Sequence, residues 1–155
     1  MYRDPFVRTP QELVDTKLEL AEITAVDTVV DLGCGDAFML IEACQRYGCK
    51  AIGLELDAEV MALAKANVAK HNMQGQIELL EEDYYQFDYS RGTVYLIYLS
   101  RWELGRLSLP MEKSVKQGTR VVTHDFDMPA WKEAKQVAVP LMAGYTKDVY
   151  LYKVT

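Results

Sequence analysis

Paired cysteines are missing from this 155-residue sequence. Cys34, Cys44 and Cys49 are odd in number and form no Cys-x-x-Cys pair, which argues against a disulfide framework and a zinc site. The expectation is reduced thiols, a cytoplasmic compartment and no metal. No run of about 18 or more apolar residues occurs, so no membrane span and no membrane partner are expected. The opening MYRDPFVRTP lacks the apolar stretch of a signal peptide. Positive charge is also scarce: 17 Lys and Arg face 23 Asp and Glu, a formal net charge of −6. That balance repels a phosphate backbone, so strong nucleic-acid binding is not expected, although a local patch could hold such a substrate. An acidic surface favours solubility and cationic partners such as a lysine-rich protein. Repeats, linkers and low-complexity segments are absent, and the length suits a single domain.

What is present alternates between strand and helix. Thr9-Pro10-Gln11-Glu12 reads as a helix start, with Thr9 as cap and Glu12 completing a capping box. Leu13, Leu18, Leu20 and Ile23 give that helix an apolar side. Strands follow at Thr28 to Leu32, Lys50 to Leu56, Gln76 to Leu80, Thr93 to Leu99 and Thr119 to Asp125. The fourth is almost wholly apolar or aromatic, as a strand covered on both faces should be. A helix is predicted from Phe38 to Tyr47, stopped by Gly48. Another is capped by Asp57 and runs to Lys70 with Val60, Leu63, Ala64 and Val68 on its apolar face. A third, from Arg101 to Lys116, should be interrupted near Pro110. Ala134 to Leu141 and Asp148 to Val154 read as two final antiparallel strands. The alternation predicts an α/β, doubly wound Rossmann-like sheet, mostly parallel with an antiparallel final strand. One domain spans 1–155, with an N-terminal segment and helix in 1–26 and the core in 27–155.

The stretch VVDLGCGDAF, Val29 to Phe38, carries an apolar strand into a glycine turn that opens a helix. Gly33 and Gly35 permit a tight turn and close approach of a ligand. A dinucleotide fingerprint would need a third glycine where Phe38 stands, and the loop has no P-loop lysine. Both nicotinamide and triphosphate binding are therefore disfavoured. Cys34 reads as a small residue that fits the turn, with the option of a thiol pKa lowered by the helix N-terminus.

The turn resembles the first motif of class I S-adenosylmethionine-dependent methyltransferases, acidic–x–Gly–x–Gly–x–Gly. Asp31, Gly33 and Gly35 match, and Ala37 replaces the third glycine. The resemblance implies that Asp31, Gly33, Cys34 and Gly35 lie against the methionine part of the cofactor. It implies that Glu55, with Leu56 beside it, takes the ribose hydroxyls. It also implies that Asp83 accepts from the adenine amino group, with Tyr84 offering its backbone N–H or its ring. A plainer reading makes Asp31 a turn cap and Asp83 an exposed acidic turn. Three acids at three successive strand ends are far more specific than any one.

DPFVRTPQELV and HDFDMPAW, His124 to Trp131, are similar to segments of a small group of these enzymes: archaeal protein-lysine methyltransferases and mitochondrial relatives. By that resemblance Phe6 to Thr9 folds over the cofactor, with the Thr9 hydroxyl near its carboxylate; Arg8 departs from the group's proline. No counterpart of the mitochondrial relatives' membrane anchor is expected, so a membrane substrate is not implied. The Asn/Asp-Pro-Pro-Tyr/Phe loop of adenine and glutamine methyltransferases is missing from YLIYLSRWE, and Tyr98 stands about where its first residue would. Tyr98 is a candidate to border the transferred methyl and orient an amine; packing is the plainer role. His124 is a candidate base at the end of the fifth strand, with Glu103 and Asp125 as further amine ligands. Trp131 reads as packing, with a place on the substrate rim as the alternative, and His71 as exposed. The expected activity is transfer of methyl from S-adenosylmethionine to protein lysine, leaving S-adenosylhomocysteine. A small-molecule methyltransferase and a non-catalytic cofactor-binding module are the rivals.

Overall fold

The computed structural model describes residues 8–155. Helix α1 (Gln11–Leu20) precedes β1 (Thr28–Leu32), α2 (Phe38–Tyr47), β2 (Lys50–Leu54), α3 (Ala58–Lys70) and β3 (Ile77–Leu80). There follow β4 (Val94–Ile97), α4 (Arg101–Ser114), β5 (Arg120–His124), β6 (Lys135–Pro140) and β7 (Thr146–Lys153). The strands form one sheet in the order β3-β2-β1-β4-β5-β7-β6. β1 to β5 are parallel, and β7 is antiparallel to both β5 and β6. The Rossmann-like expectation holds, with the last two strands forming a hairpin.

Strand alternation divides the core. Val29, Leu96 and Val122 pack on the face covered by α1, α2 and α3. Val30, Tyr95, Ile97 and Val121 pack on the other face, against Leu104, Leu107 and Met111 of α4. Asp31 pairs in register with Leu96, and Leu96 with Val122, so these three positions share the α1 face. Tyr98, just past β4, and His124, the last residue of β5, stand one pleat further along on that same face. The chain winds from β1 outward to β3, then returns to β4 on β1's other side. That reversal makes the carboxyl end of β1 the switch point where doubly wound sheets bind ligands.

Several local expectations need correction. Thr9 does not cap α1: Pro10 occupies the cap position with extended ψ of 146° and no side chain caps the helix. Pro110 does not interrupt α4, because its missing donor falls on the exposed side while Leu107, Ser108 and Met111 anchor the other. Met61, rather than Leu63, is buried on α3, and Leu63 stays 53% exposed. β2 and β4 end two residues early, releasing Glu55, Leu56, Tyr98 and Leu99 into loops.

Candidate active site

The glycine turn is shaped by three left-handed residues. Gly33 (φ 79°), Gly35 (φ 58°) and Ala37 (φ 68°) alternate through it. Only Ala37 meets a steric penalty there, since it alone carries a Cβ. The N–H groups of Gly33 and Cys34 both donate to the Leu54 carbonyl, at 2.9 and 2.8 Å, tying the turn to the end of β2. Gly53, paired with Asp31, allows Cys34 to nest against β2: a Cβ at that position would lie 2.7 Å from Cys34 Sγ. Burial pushes the Cys34 thiol pKa up, with Asp31 and Glu55 adding negative charge beside it. The lowering expected of a helix N-terminus is therefore overridden.

The three predicted acids stand at three strand ends, and each is held differently. Asp31 is 9% exposed, yet its carboxylate has no hydrogen bond among the described residues. Burial raises its pKa, against the opposing pull of the Lys17 charge. A buried acceptor so placed lacks a donor, and a cationic one suits it best. Glu55 braces two backbones: Oε1 accepts from Gly35 N–H at 3.2 Å and Oε2 from Asp57 N–H at 3.1 Å. One acceptor site on each oxygen remains for a vicinal pair of hydroxyls. Asp83 Oδ1 takes the Tyr85 N–H at 2.9 Å. An ammonium over the turn, a ribose beyond β2 and a purine beyond β3 answer these acceptors in order. The residues present fit S-adenosylmethionine. Leu56 is exposed beside Glu55, and Thr9 is half-buried. Phe6 lies outside the described residues.

Arg8 latches the N-terminal segment to the turn. It pairs with Asp36, Nε to Oδ2 at 3.1 Å, and its guanidinium lies 4.7 Å from the Phe38 ring centroid. Asp36 Oδ1 also accepts from Phe38 N–H, doing the capping that Ala37 cannot. Neither Asp36 nor Asn67, which donates to the Asp36 carbonyl at 2.9 Å, was singled out by sequence.

Beyond β3 the aromatic cluster is organised by Glu103. Its Oε2 accepts from both Tyr84 and Tyr85 hydroxyls, the latter at 2.6 Å, so this carboxylate is engaged rather than open to an amine. Burial, then the Glu103 contact, raise both tyrosine pKa values, that of Tyr85 to about 12. Asp125, at φ 68°, is likewise engaged, by Lys147 Nζ at 2.7 Å. Trp131 packs edge-on against Tyr152 and His71 is exposed, as expected.

At the ends of β4 and β5 the Tyr98 and His124 rings stack, centroids 4.0 Å apart and planes 9° apart. Tyr98 is 44% exposed, His124 only 2%. His124 Nδ1 lies 2.9 Å from Lys17 Nζ, which also donates to the Ile97 carbonyl at 3.2 Å. Burial, then the Lys17 and Lys147 charges, hold the imidazole neutral, well below its usual range. A buried ring with one nitrogen occupied is poorly placed to exchange a proton with substrate, which weighs against a base role. Lys17 itself was missed by sequence reading. Its signal was present: it falls at the helical spacing of the buried Leu13, Val14 and Leu18.

A groove of about 350 Å³ lies on the opposite edge, lined by Lys50, Gln76 and Arg91 at the amino ends of the strands. Its place is wrong for a switch-point ligand, whatever its size.

Comparisons with known proteins agree with this geometry. The family described as the ANTKMT methyltransferase domain matches residues 31–135. A protein-lysine N-methyltransferase of Saccharolobus islandicus is 34% identical over 149 residues, 96% of this chain and 92% of its own. The crystal structure of an RNA methyltransferase from Salinibacter ruber, in complex with S-adenosyl-L-homocysteine, superposes with a TM-score of 0.87 at 31% identity. That likeness covers 96% of this chain and 94% of the other. The B. subtilis M1A22 tRNA methyltransferase TrmK shares the fold alone, at 13% identity and TM-score 0.79 over 96% of this chain and 67% of its own.

Proposed function

This chain belongs to the ANTKMT methyltransferase domain family and uses S-adenosylmethionine; we propose that it transfers methyl groups to lysine side chains of proteins. The observation carrying this reading is the near full-length likeness to a protein-lysine N-methyltransferase, with no large insertion on either side. The second reading, RNA as acceptor, is favoured by the name of the Salinibacter relative. The formal charge of −6 opposes it and suits a cationic protein substrate.

In this reading Asp31, Gly33, Cys34 and Gly35 hold the methionine end of the cofactor, Glu55 and Leu56 the ribose, and Asp83 and Tyr84 the adenine. Phe6 and Thr9 close over it. When bound, S-adenosylmethionine supplies an electrophilic methyl group on its sulfonium, and alignment is the protein's main task. The lysine nucleophile must first lose a proton. With a free pKa of about 10.4, that costs about 4.6 kcal/mol at pH 7, or 3.4 units at 1.36 kcal/mol each. Desolvation against the exposed face of Tyr98 reduces this cost, because burial disfavours the charged form. The ring also attracts the ammonium before deprotonation. Tyr98 is the residue assigned to the reacting amine; His124 lies behind it.

Three free, buried thiols support a reducing, cytoplasmic setting. No helix among the described residues is long and apolar enough to cross a membrane. The test begins with calorimetric titration by S-adenosylmethionine and, separately, NAD, with Glu55→Ala and Asp83→Ala as controls. A labelled-methyl screen follows on basic proteins, RNA and small amines. Methyllysine in acid hydrolysates supports the reading; label confined to RNA or a small molecule rejects it. Tight cofactor binding with no transfer returns the non-catalytic module.

A further inference from the structure

Lys17 lies where a lysine is least favoured. It is 1% exposed on the buried stripe of α1. A buried ammonium is tolerated only where its donors are taken. Here two strand ends take them: the Ile97 carbonyl at 3.2 Å and His124 Nδ1 at 2.9 Å. His124 thus joins two contacts, with Lys17 at its ring nitrogen and the part-exposed Tyr98 ring stacked on its face.

We propose that Lys17 is a positioning residue for methyl transfer, holding His124 in the tautomer with Nδ1 as acceptor and Nε2 protonated, and so fixing the ring against which Tyr98 rests. This rests on the reading that Tyr98 borders the reacting amine. A lysine ammonium has donors and no acceptor, so Nδ1 carries no proton when Lys17 is charged. Burial pulls the Lys17 pKa down to about 8, and the Asp31 and Asp125 charges oppose that pull, so the ammonium still predominates at pH 7. The neutral ring then keeps its single proton on Nε2.

Charges facing His124 from the packed elements agree. Lys17 of α1 and Lys147 of β7 both oppose a second positive charge on the ring. Asp125, next in the chain, is paired with Lys147, and Asp31 of β1 acts through Lys17. A neutral imidazole does not compete with an incoming cation for the Tyr98 ring, whereas an imidazolium would, and would repel the substrate.

The test uses nitrogen-15 correlation spectra of histidine-labelled full-length protein, unaltered and Lys17→Met, between about pH 5 and pH 8. Kinetics with labelled S-adenosylmethionine and poly-L-lysine run beside it. In the unaltered protein His124 is expected to stay in the Nε2–H form without titrating. In Lys17→Met the tautomer mixes or the ring titrates, and the proton–proton contacts between His124 and Tyr98 weaken. There kcat falls about tenfold to a hundredfold, while the cofactor Kd stays within about twofold. An Nδ1–H or titrating His124 in the unaltered protein overturns the proposal, even if Lys17→Met does not fold. So does unchanged kcat in a folded Lys17→Met. No transfer by the unaltered protein rejects the lysine reading instead, and the spectra then decide the role of Lys17 alone.

Discussion

Adding one methyl group at Gly53 should damage both the fold and the cofactor site. A Cβ there would lie 2.7 Å from Cys34 Sγ, 2.9 Å from Leu40 Cδ1 and 3.0 Å from Cys34 Cβ. Ordinary contact begins near 3.4 Å, so the sulfur must retreat by about 0.7 Å. Leu40 has rotamers with which to move; Cys34 is held by its N–H bond to Leu54 and takes the turn with it. Overpacking of this kind costs about 1–3 kcal/mol. A value of about 2 kcal/mol lowers Tm by about 4–8 °C in a domain of this size. Displacing the turn should also weaken S-adenosylmethionine about tenfold, equivalent to about 1.4 kcal/mol. The assay is a double-mutant cycle by thermal and urea unfolding, with calorimetric cofactor titration. Cys34→Ala removes the closest clashing atom, so the pair Gly53→Ala and Cys34→Ala should recover about 1 kcal/mol relative to the sum of the singles. Strict additivity would refute the reasoning, because it would mean that the two residues do not compete for one space. A Gly53→Ala protein as stable as the unaltered one would refute it outright.

Three further outcomes follow from the site. Ala37→Gly removes a left-handed penalty of about 1 kcal/mol and one buried methyl worth about 0.8 kcal/mol, so urea unfolding should stay within about half a kcal/mol. Ala37→Val, β-branched at the same positive φ, should lose clearly more than the glycine variant in the same measurement. His124 has a folded pKa below its unfolded value, so the unfolded chain binds the extra proton and the His124 contribution to stability falls as pH drops below about 6.5, while Asp31, raised by burial to about 7, contributes in the opposite sense. At pH 5 the His124 part is about 2 kcal/mol, or 1.5 units at 1.36 kcal/mol each, and it should appear as the difference between the pH curves of the unaltered protein and His124→Phe. Glu103→Ala strands two tyrosine hydroxyls and should cost about 1–3 kcal/mol by thermal melting; Glu103→Gln, which can still accept, should cost less.

Most of the fold is legible in local sequence because its elements have clean borders. β1 and α2 fall where glycine, apolar runs and the Gly48 stop put them. Asp57 caps α3 through Oδ1 to the Glu59 and Val60 N–H groups. The failures share a cause: each turns on what a residue faces in three dimensions. Pro110 is tolerated because its defect points to water. Met61 and Leu63 lie two residues apart on opposite sides of α3, and only the sheet decides which side is covered. The acids were found because three strand ends repeat one residue type. Lys17 was not, since helical spacing marks it as buried but cannot name the strand carbonyl and imidazole that accept from it.

Several positions that break local rules lie at the carboxyl end of the sheet. Ala37 and Asp125 take backbone that favours glycine, Asp31 is buried without a hydrogen bond among the described residues, and Lys17 is buried within an apolar stripe. Each departure is locally unfavourable, by roughly 1–3 kcal/mol for a strained backbone and comparably for an unpaired polar group. Left-handed backbone also occurs away from the site, at Glu22 after α1 and Asn72 after α3. Ala37, Asp31, Lys17 and Asp125, by contrast, line the carboxyl ends of β1, β4 and β5. Strain and buried charge held there suit a preorganised site: polar groups held out of water before the ligand arrives. The same logic separates the acids by role. Glu55 is already braced by two backbone donors and stays put with or without ligand. Asp31 is the one whose environment changes most on binding, so its pKa, raised now by burial to about 7, should fall when a cation meets it. Cofactor binding by this chain should therefore release a proton from Asp31 in the neutral range, visible as a dependence of the binding enthalpy on the ionisation enthalpy of the buffer. A buffer-independent enthalpy would place Asp31 outside the cation's reach.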